Sequence, residues 1–93
     1  MMGHPPTKDD EVENWDRCEN EAWRDSYFIS WVGASNPRAV ARTLTRHRAV
    51  LGENHVAVRA IAGHLSFLQG ASLGPEPEEL AEVEAQAWRL GLL

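Results

Sequence analysis

Apolar residues recur at helical spacing along four stretches of this chain. In the first, Val12, Trp15, Cys18, Ala22, Ser26 and Ile29 fall on one side of a helix, with Trp23 at its margin. Asp9 and Asp10 open that helix, and acids in a first turn suit the helix dipole. Tyr27 to Val32 is then apolar nearly all round. Its aromatic and β-branched residues would allow a strand. No other segment offers a partner strand, and a lone strand leaves its backbone groups unpaired. The segment is therefore predicted to be helical, and a helix end apolar on every side is predicted to be buried between neighbours.

Gly33-Ala34-Ser35 breaks the pattern, and Asn36-Pro37 restarts it. Asparagine accepts hydrogen bonds from the free N–H groups of a first turn, and proline at the first helical position sacrifices nothing. This second helix runs to Leu51 and stops at Gly52, with Val40, Leu44, His47 and Leu51 as its inner stripe. Asn54 is the expected cap of a third helix with Val58, Ile61, Leu65 and Leu68 inside and Ala57 beside them. Ala60, Gly63 and Phe67 are expected toward its back, Gly63 allowing a close neighbour, and Gly70 ends it. After a linker from Ala71 to Pro75, Glu76-Pro77 starts a fourth helix with Leu80, Val83, Ala87 and Leu90 on one stripe, widened by Trp88. The predicted fold class is all-α, a small bundle of three or four helices joined by short turns, so that sequential helices run antiparallel. Residues 1–8, with Gly3, Pro5 and Pro6, read as a flexible leader, and 9–93 as a single helical domain.

Charge divides the chain into blocks. Eight acids lie between residues 8 and 25. Arg38, Arg42, Arg46, Arg48 and Arg59 face only Glu53 between 34 and 64. Five glutamates face only Arg89 beyond 75. Such a chain either pairs with itself or offers its basic middle to a polyanion. The net charge of −5 argues against nucleic-acid affinity over the whole surface, while leaving room for a local basic patch. Ninety-three residues bury only a modest core, which gives the four tryptophans weight. Cys18 is the sole cysteine, which excludes an internal disulfide and a cysteine-built metal site. No signal-peptide core and no run of roughly 20 apolar residues is present, so the expectation is a soluble, cytoplasmic protein without membrane contact.

Two groups of residues carry a functional reading. Arg38, Arg42 and Arg46 follow one another at i+4 on the side opposite the inner stripe, with Arg48 nearby. Such guanidiniums contact successive phosphates or a partner's carboxylates, or pair with the acidic helices of their own chain. The two central helices also invite comparison with a helix-turn-helix reader, although any antiparallel helical hairpin has the same pattern. The second group is aromatic: Trp23, Tyr27, Phe28, Trp31 and Trp88 exceed what one stripe per helix requires. Either they complete a small core or some stay exposed at a protein interface, where tryptophan and tyrosine are enriched. His47 and His64 read as core histidines with one satisfied nitrogen, since no His-x3-His or Glu-x2-His pair supports a metal. No nucleophile has a base at readable spacing, and no glycine loop cradles a phosphate. Neither an enzyme nor a cofactor is expected.

The stretch from Ser35-Asn36-Pro37 to Leu65-Ser66-Phe67-Leu68, with Leu44-x-Arg46-His47 and His55-x-Ala57-Val58-Arg59-x-Ile61, resembles small helical proteins encoded by bacteriophages of actinobacteria. The excess of arginine over lysine and the abundant alanine fit such a source. The resemblance spans about a third of the chain and implies an accessory protein acting in the host cytoplasm, with no active site to transfer. The sequence therefore points to a non-enzymatic interaction protein that binds a protein partner or a second copy of itself through its aromatic residues. The alternative is a nucleic-acid-binding module using Arg38, Arg42, Arg46 and Arg48.

Overall fold

Asn36 does what its place before Pro37 demands. In the computed structural model its side-chain oxygen accepts from the N–H groups of Arg38 (3.0 Å) and Ala39 (3.3 Å). The structure describes residues 8–93, with side chains from Asn14 onward. Four α-helices form: α1 (Lys8–Ser26), α2 (Pro37–Leu51), α3 (Val56–Leu68) and α4 (Pro77–Arg89). Between α1 and α2 the chain makes one π-helical turn, Tyr27–Trp31. No strand occurs among the described residues. The all-α bundle is as the periodicity requires. The leader expected over residues 1–8 lies outside the described residues, except that Lys8 already belongs to α1.

The third helix organises the packing. Ala57 and Ala60 join Ala22, Trp23 and Val83 in one buried cluster, which ties α3 to α1 and α4. Val58 and Ile61 join Ile29, Val40 and Leu44 in a second, which ties it to α2 and the π-turn. Ala60 is thus fully buried and not at the back of its helix. The two alanines leave room for the Trp23 indole, which is 5% exposed, while Trp15 remains 40% exposed. The sequence pattern has these two reversed: Trp23 occupies the core and Trp15 its rim.

Helix ends follow local chemistry. His55, not Asn54, caps α3: its Nδ1 accepts the Ala57 N–H at 3.1 Å. At the end of α3, Ala71 N–H returns to the Ser66 carbonyl (2.9 Å) and Gly70 N–H to that of Phe67 (3.1 Å), a closing motif for which the positive φ of Gly70 (103°) suits glycine. The helices run back and forth. His64 in the last turns of α3 donates through Nε2 to the Ala34 carbonyl just ahead of α2 (2.7 Å). Arg89 near the end of α4 donates to Asn20 Oδ1 on α1 (2.8 Å).

Gly63 does allow a close neighbour, although that neighbour is the α3–α4 connection and not a helix. A Cβ at Gly63 would stand 2.8 Å from Pro75 Cα and 3.0 Å from Pro75 N.

Two substitutions check this account. Asn36→Ala is expected to cost about 1 kcal/mol in urea unfolding, because two N–H groups lose their acceptor. Gly63→Ala is expected to lower the unfolding midpoint, even though alanine is favoured by about 1 kcal/mol in an unobstructed helix. Its methyl meets backbone that cannot swing aside, so a raised midpoint would show that the connection yields easily.

Candidate functional site

Among the described residues the acidic and basic blocks meet at three places, each joining one helix to another helix or its cap. On α1, Asp25 Oδ2 accepts from His47 Nε2 (2.7 Å) and from Arg46 Nη2 (3.0 Å) on α2, and Arg24 stands 4.0 Å from its other oxygen. Glu19 accepts from His55 Nε2 at 2.7 Å. Since His55 Nδ1 already receives the Ala57 N–H, this ring carries its proton on Nε2. On α4, Glu79 accepts from Arg59 Nε (2.9 Å) and from the Glu76 N–H (3.1 Å), which explains a glutamate only 7% exposed. Burial pushes the Asp25 carboxyl up. The hydrogen bond from His47 and the charges of His47, Arg46 and Arg24 more than offset this, and hold it below the ordinary aspartate range.

These contacts sort the arginines. Arg46 and Arg59 are held by acids of their own chain. No acid among the described residues pairs with Arg38, Arg42 or Arg48. Arg38 and Arg42 flank a shallow depression floored by Ala41, open to solvent. The proposed four-arginine face is thus an unpaired pair, Arg38 and Arg42, with Arg46 occupied at its end. Arg48 lies elsewhere, in a groove with Glu53, Arg59 and Glu79 where both signs of charge are present. His47 and His64 are buried, each with one nitrogen satisfied. Among the described residues no group of three or more His, Cys, Asp or Glu side chains is arranged to hold a metal ion.

The aromatic residues also divide. Trp23 is core and cannot contact a partner. Tyr27 is half-buried against the α1/α3/α4 cluster. Phe28 is 47% exposed, Trp31 45% and Val32 63%, so the apolar end of the first helix is not buried between neighbours as its composition suggests. Only Ile29 of this segment reaches the core. Of the later helices, α3 and α4 lie against the inner sides of the turn, and among the described residues Phe28, Trp31 and Val32 stay exposed on its outer side. Trp88 does not widen the α4 stripe either, being 63% exposed on the far side from Val83 and Ala87.

The exposed rings are nevertheless held. Trp31 Nε1 donates to the Leu80 carbonyl at 3.0 Å, and Phe28 stacks edge-on against Tyr27 with centroids 5.2 Å apart. Backbone bonds spanning five residues, Val32 N–H to Tyr27 and Ala34 N–H to Ile29 (both 3.1 Å), close the turn. The Ser26 hydroxyl donates to the Trp23 carbonyl at 2.8 Å, and that of Ser30 to the carbonyl of Ser26. The π-turn could not be read from the sequence. Ser26 and Ser30, whose hydroxyls bond back one turn, were its only local signal.

No helix of the described chain is long and apolar enough to cross a membrane. Comparison with protein-family models, with curated proteins and with solved structures finds no match.

The Asp25 junction sets a pH dependence. A carboxyl held below its unfolded pKa contributes stability above roughly pH 4 and loses it as pH falls through the lower folded value. Asp25→Asn is therefore expected to cost about 1.5–3 kcal/mol at pH 7, the range for hydrogen bonds involving charged groups. The difference from the wild type should shrink below about pH 4, read by urea unfolding at a series of pH values. A difference independent of pH would show that the loss is one of shape and not of charge.

Proposed function

We propose that this protein is a non-enzymatic interaction module whose working surface is the outer side of the π-turn, centred on Phe28, Trp31 and Val32. One observation carries the reading: two large aromatic rings are half exposed and yet fixed in place by the Trp31–Leu80 hydrogen bond and the Tyr27–Phe28 contact. Rings held rigid before binding lose little conformational entropy on contact, and such rings dominate protein interfaces. π-turns inside helices also concentrate at functional sites. An accessory role in a phage-infected cell, as the resemblance of the central helices implies, is consistent with a small chain that acts by contact alone.

The second reading, nucleic-acid binding, retains Arg38 and Arg42 as unpaired cations. Two phosphate contacts give a shallow salt dependence and weak affinity, so the aromatic surface is the stronger candidate.

A photo-activatable residue at Phe28 tests the proposal in an extract of the source cells. A covalent protein adduct, foreign or of the chain with itself, is expected from position 28 and not from Thr45 on the outer face of α2. Adducts equal at both positions, or absent from both, would sink the reading.

A further inference from the structure

The π-turn surface is one half of a larger arrangement, and the other half is on α4. At helical spacing, Ala81, Ala85 and Trp88 share the side of α4 turned away from Val83 and Ala87, and all three are exposed. Glu78 and Glu84 border that side, and neither forms an ion pair among the described residues. This is an acidic helix face with one aromatic anchor. The π-turn has the opposite character. Arg24 lies one turn before Phe28, Arg46 is tied to the same end of α1 through Asp25, and Arg42 and Arg38 continue along α2 without acid partners. Arg24 borders Phe28 directly, and the arginines of α2 extend this basic side of the molecule. The two faces adjoin, because Trp31 is bonded to the Leu80 carbonyl at the start of α4.

We infer that the occupant of the π-turn surface is a second copy of this chain, docking the Ala81–Ala85–Trp88 face of its α4 against Phe28 and Val32 in a two-fold dimer. This rests on the reading of the π-turn as a protein-binding surface and names its partner. Charge favours it, since the acidic border of one face meets the basic border of the other. With each ring able to bury ~150–250 Å² in full, the exposed parts of Phe28, Trp31 and Trp88 supply roughly 230–390 Å², under half of the about 800 Å² per partner in a standard interface, so the charged borders must join the contact. A foreign partner seated on one face leaves the other uncovered. A two-fold dimer covers both faces of both copies, with Trp31 close to the axis where the faces join.

Charge exchange tests the inference. Sedimentation velocity of the wild-type chain at about 50 μM in low salt should show a dimer that weakens as salt is raised. Arg38→Glu with Arg42→Glu, in one variant, should be monomeric because acidic faces now oppose each other. Glu78→Arg with Glu84→Arg, in a second variant, should be monomeric for the converse reason. Mixed one to one, the two should recover a dimer, because in a two-fold pair both contacts then join opposite charges. Circular dichroism of each variant alone establishes that it is folded. Should either charge variant fail to fold, Phe28→Ala replaces it and is expected to weaken the dimer at least tenfold. A monomeric wild type, or folded variants that do not recover on mixing, would overturn the second copy as occupant. A foreign adduct at position 28 together with a monomeric wild type would leave the binding surface standing and remove only this partner.

Discussion

Everything in this fold depends on α3 being apolar on two sides at once. A helix at the edge of a bundle needs one inner stripe. α3 needs two, because α1 and α4 lie against one flank and α2 with the π-turn against the other. Its residues divide accordingly: small Ala57 and Ala60 face the large Trp23, while branched Val58 and Ile61 face Val40, Leu44 and Ile29. Small against large on one side and medium against medium on the other lets the helices approach closely. The need for a narrow flank extends to Gly63, where the connection to α4 passes too near for any Cβ. In so small a chain, a single helix that serves two clusters makes up for the lack of a large core.

The charges follow from that packing. With α3 in the centre, the acidic α1 is brought against the basic α2, and the acidic α4 against the exposed edge of α3. Asp25, Glu19 and Glu79 each end at a helix boundary or a buried histidine, and not on open surface. Pairs on open surface contribute little. The Asp25 junction differs because His47 is 2% exposed and would be an unsatisfied polar group in the core without it. The electrostatics therefore choose the alignment of helices whose association the apolar clusters drive.

How much of this was legible depended on whether the signal was local. Asn36-Pro37, Glu76-Pro77 and the stripes of α2 and α4, Trp88 excepted, are decided by neighbours within a turn, and they stand as the pattern implies. His55 took the capping role from Asn54 because its ring bridges to Glu19, a partner 36 residues away that no local pattern reveals. Trp23 looks marginal in the sequence because its angle on α1 lies beside the stripe. What decides its burial is the pair of alanines on α3, again a distant feature. The sequence did show that five aromatics exceeded the needs of the stripes. It did not show which would be excess, since that depends on where α4 lies. Of the five, Trp23 went to the core, Tyr27 to its edge, and Phe28, Trp31 and Trp88 to the surface.

The π-turn explains why the surplus takes the form it does. In an uninterrupted α-helix each residue advances 100°, which places Trp31, nine residues after the buried Ala22, directly opposite the core. A wider turn advances each residue by less and swings Trp31 back toward α4. There its indole N–H finds the Leu80 carbonyl while much of the ring stays in solvent. Packing alone does not require this. The turn gives up regular α-helical bonding and enlists two serine hydroxyls to satisfy its carbonyls. Burial of Ile29 would be met equally by an α-helical path, since Ile29 already lies in register with Ala22 and Ser26. The departure from α-geometry therefore acts on Trp31 and on the residues beside it. A turn that orients a half-exposed aromatic ring in this way supports the proposed reading of its outer side as a contact surface.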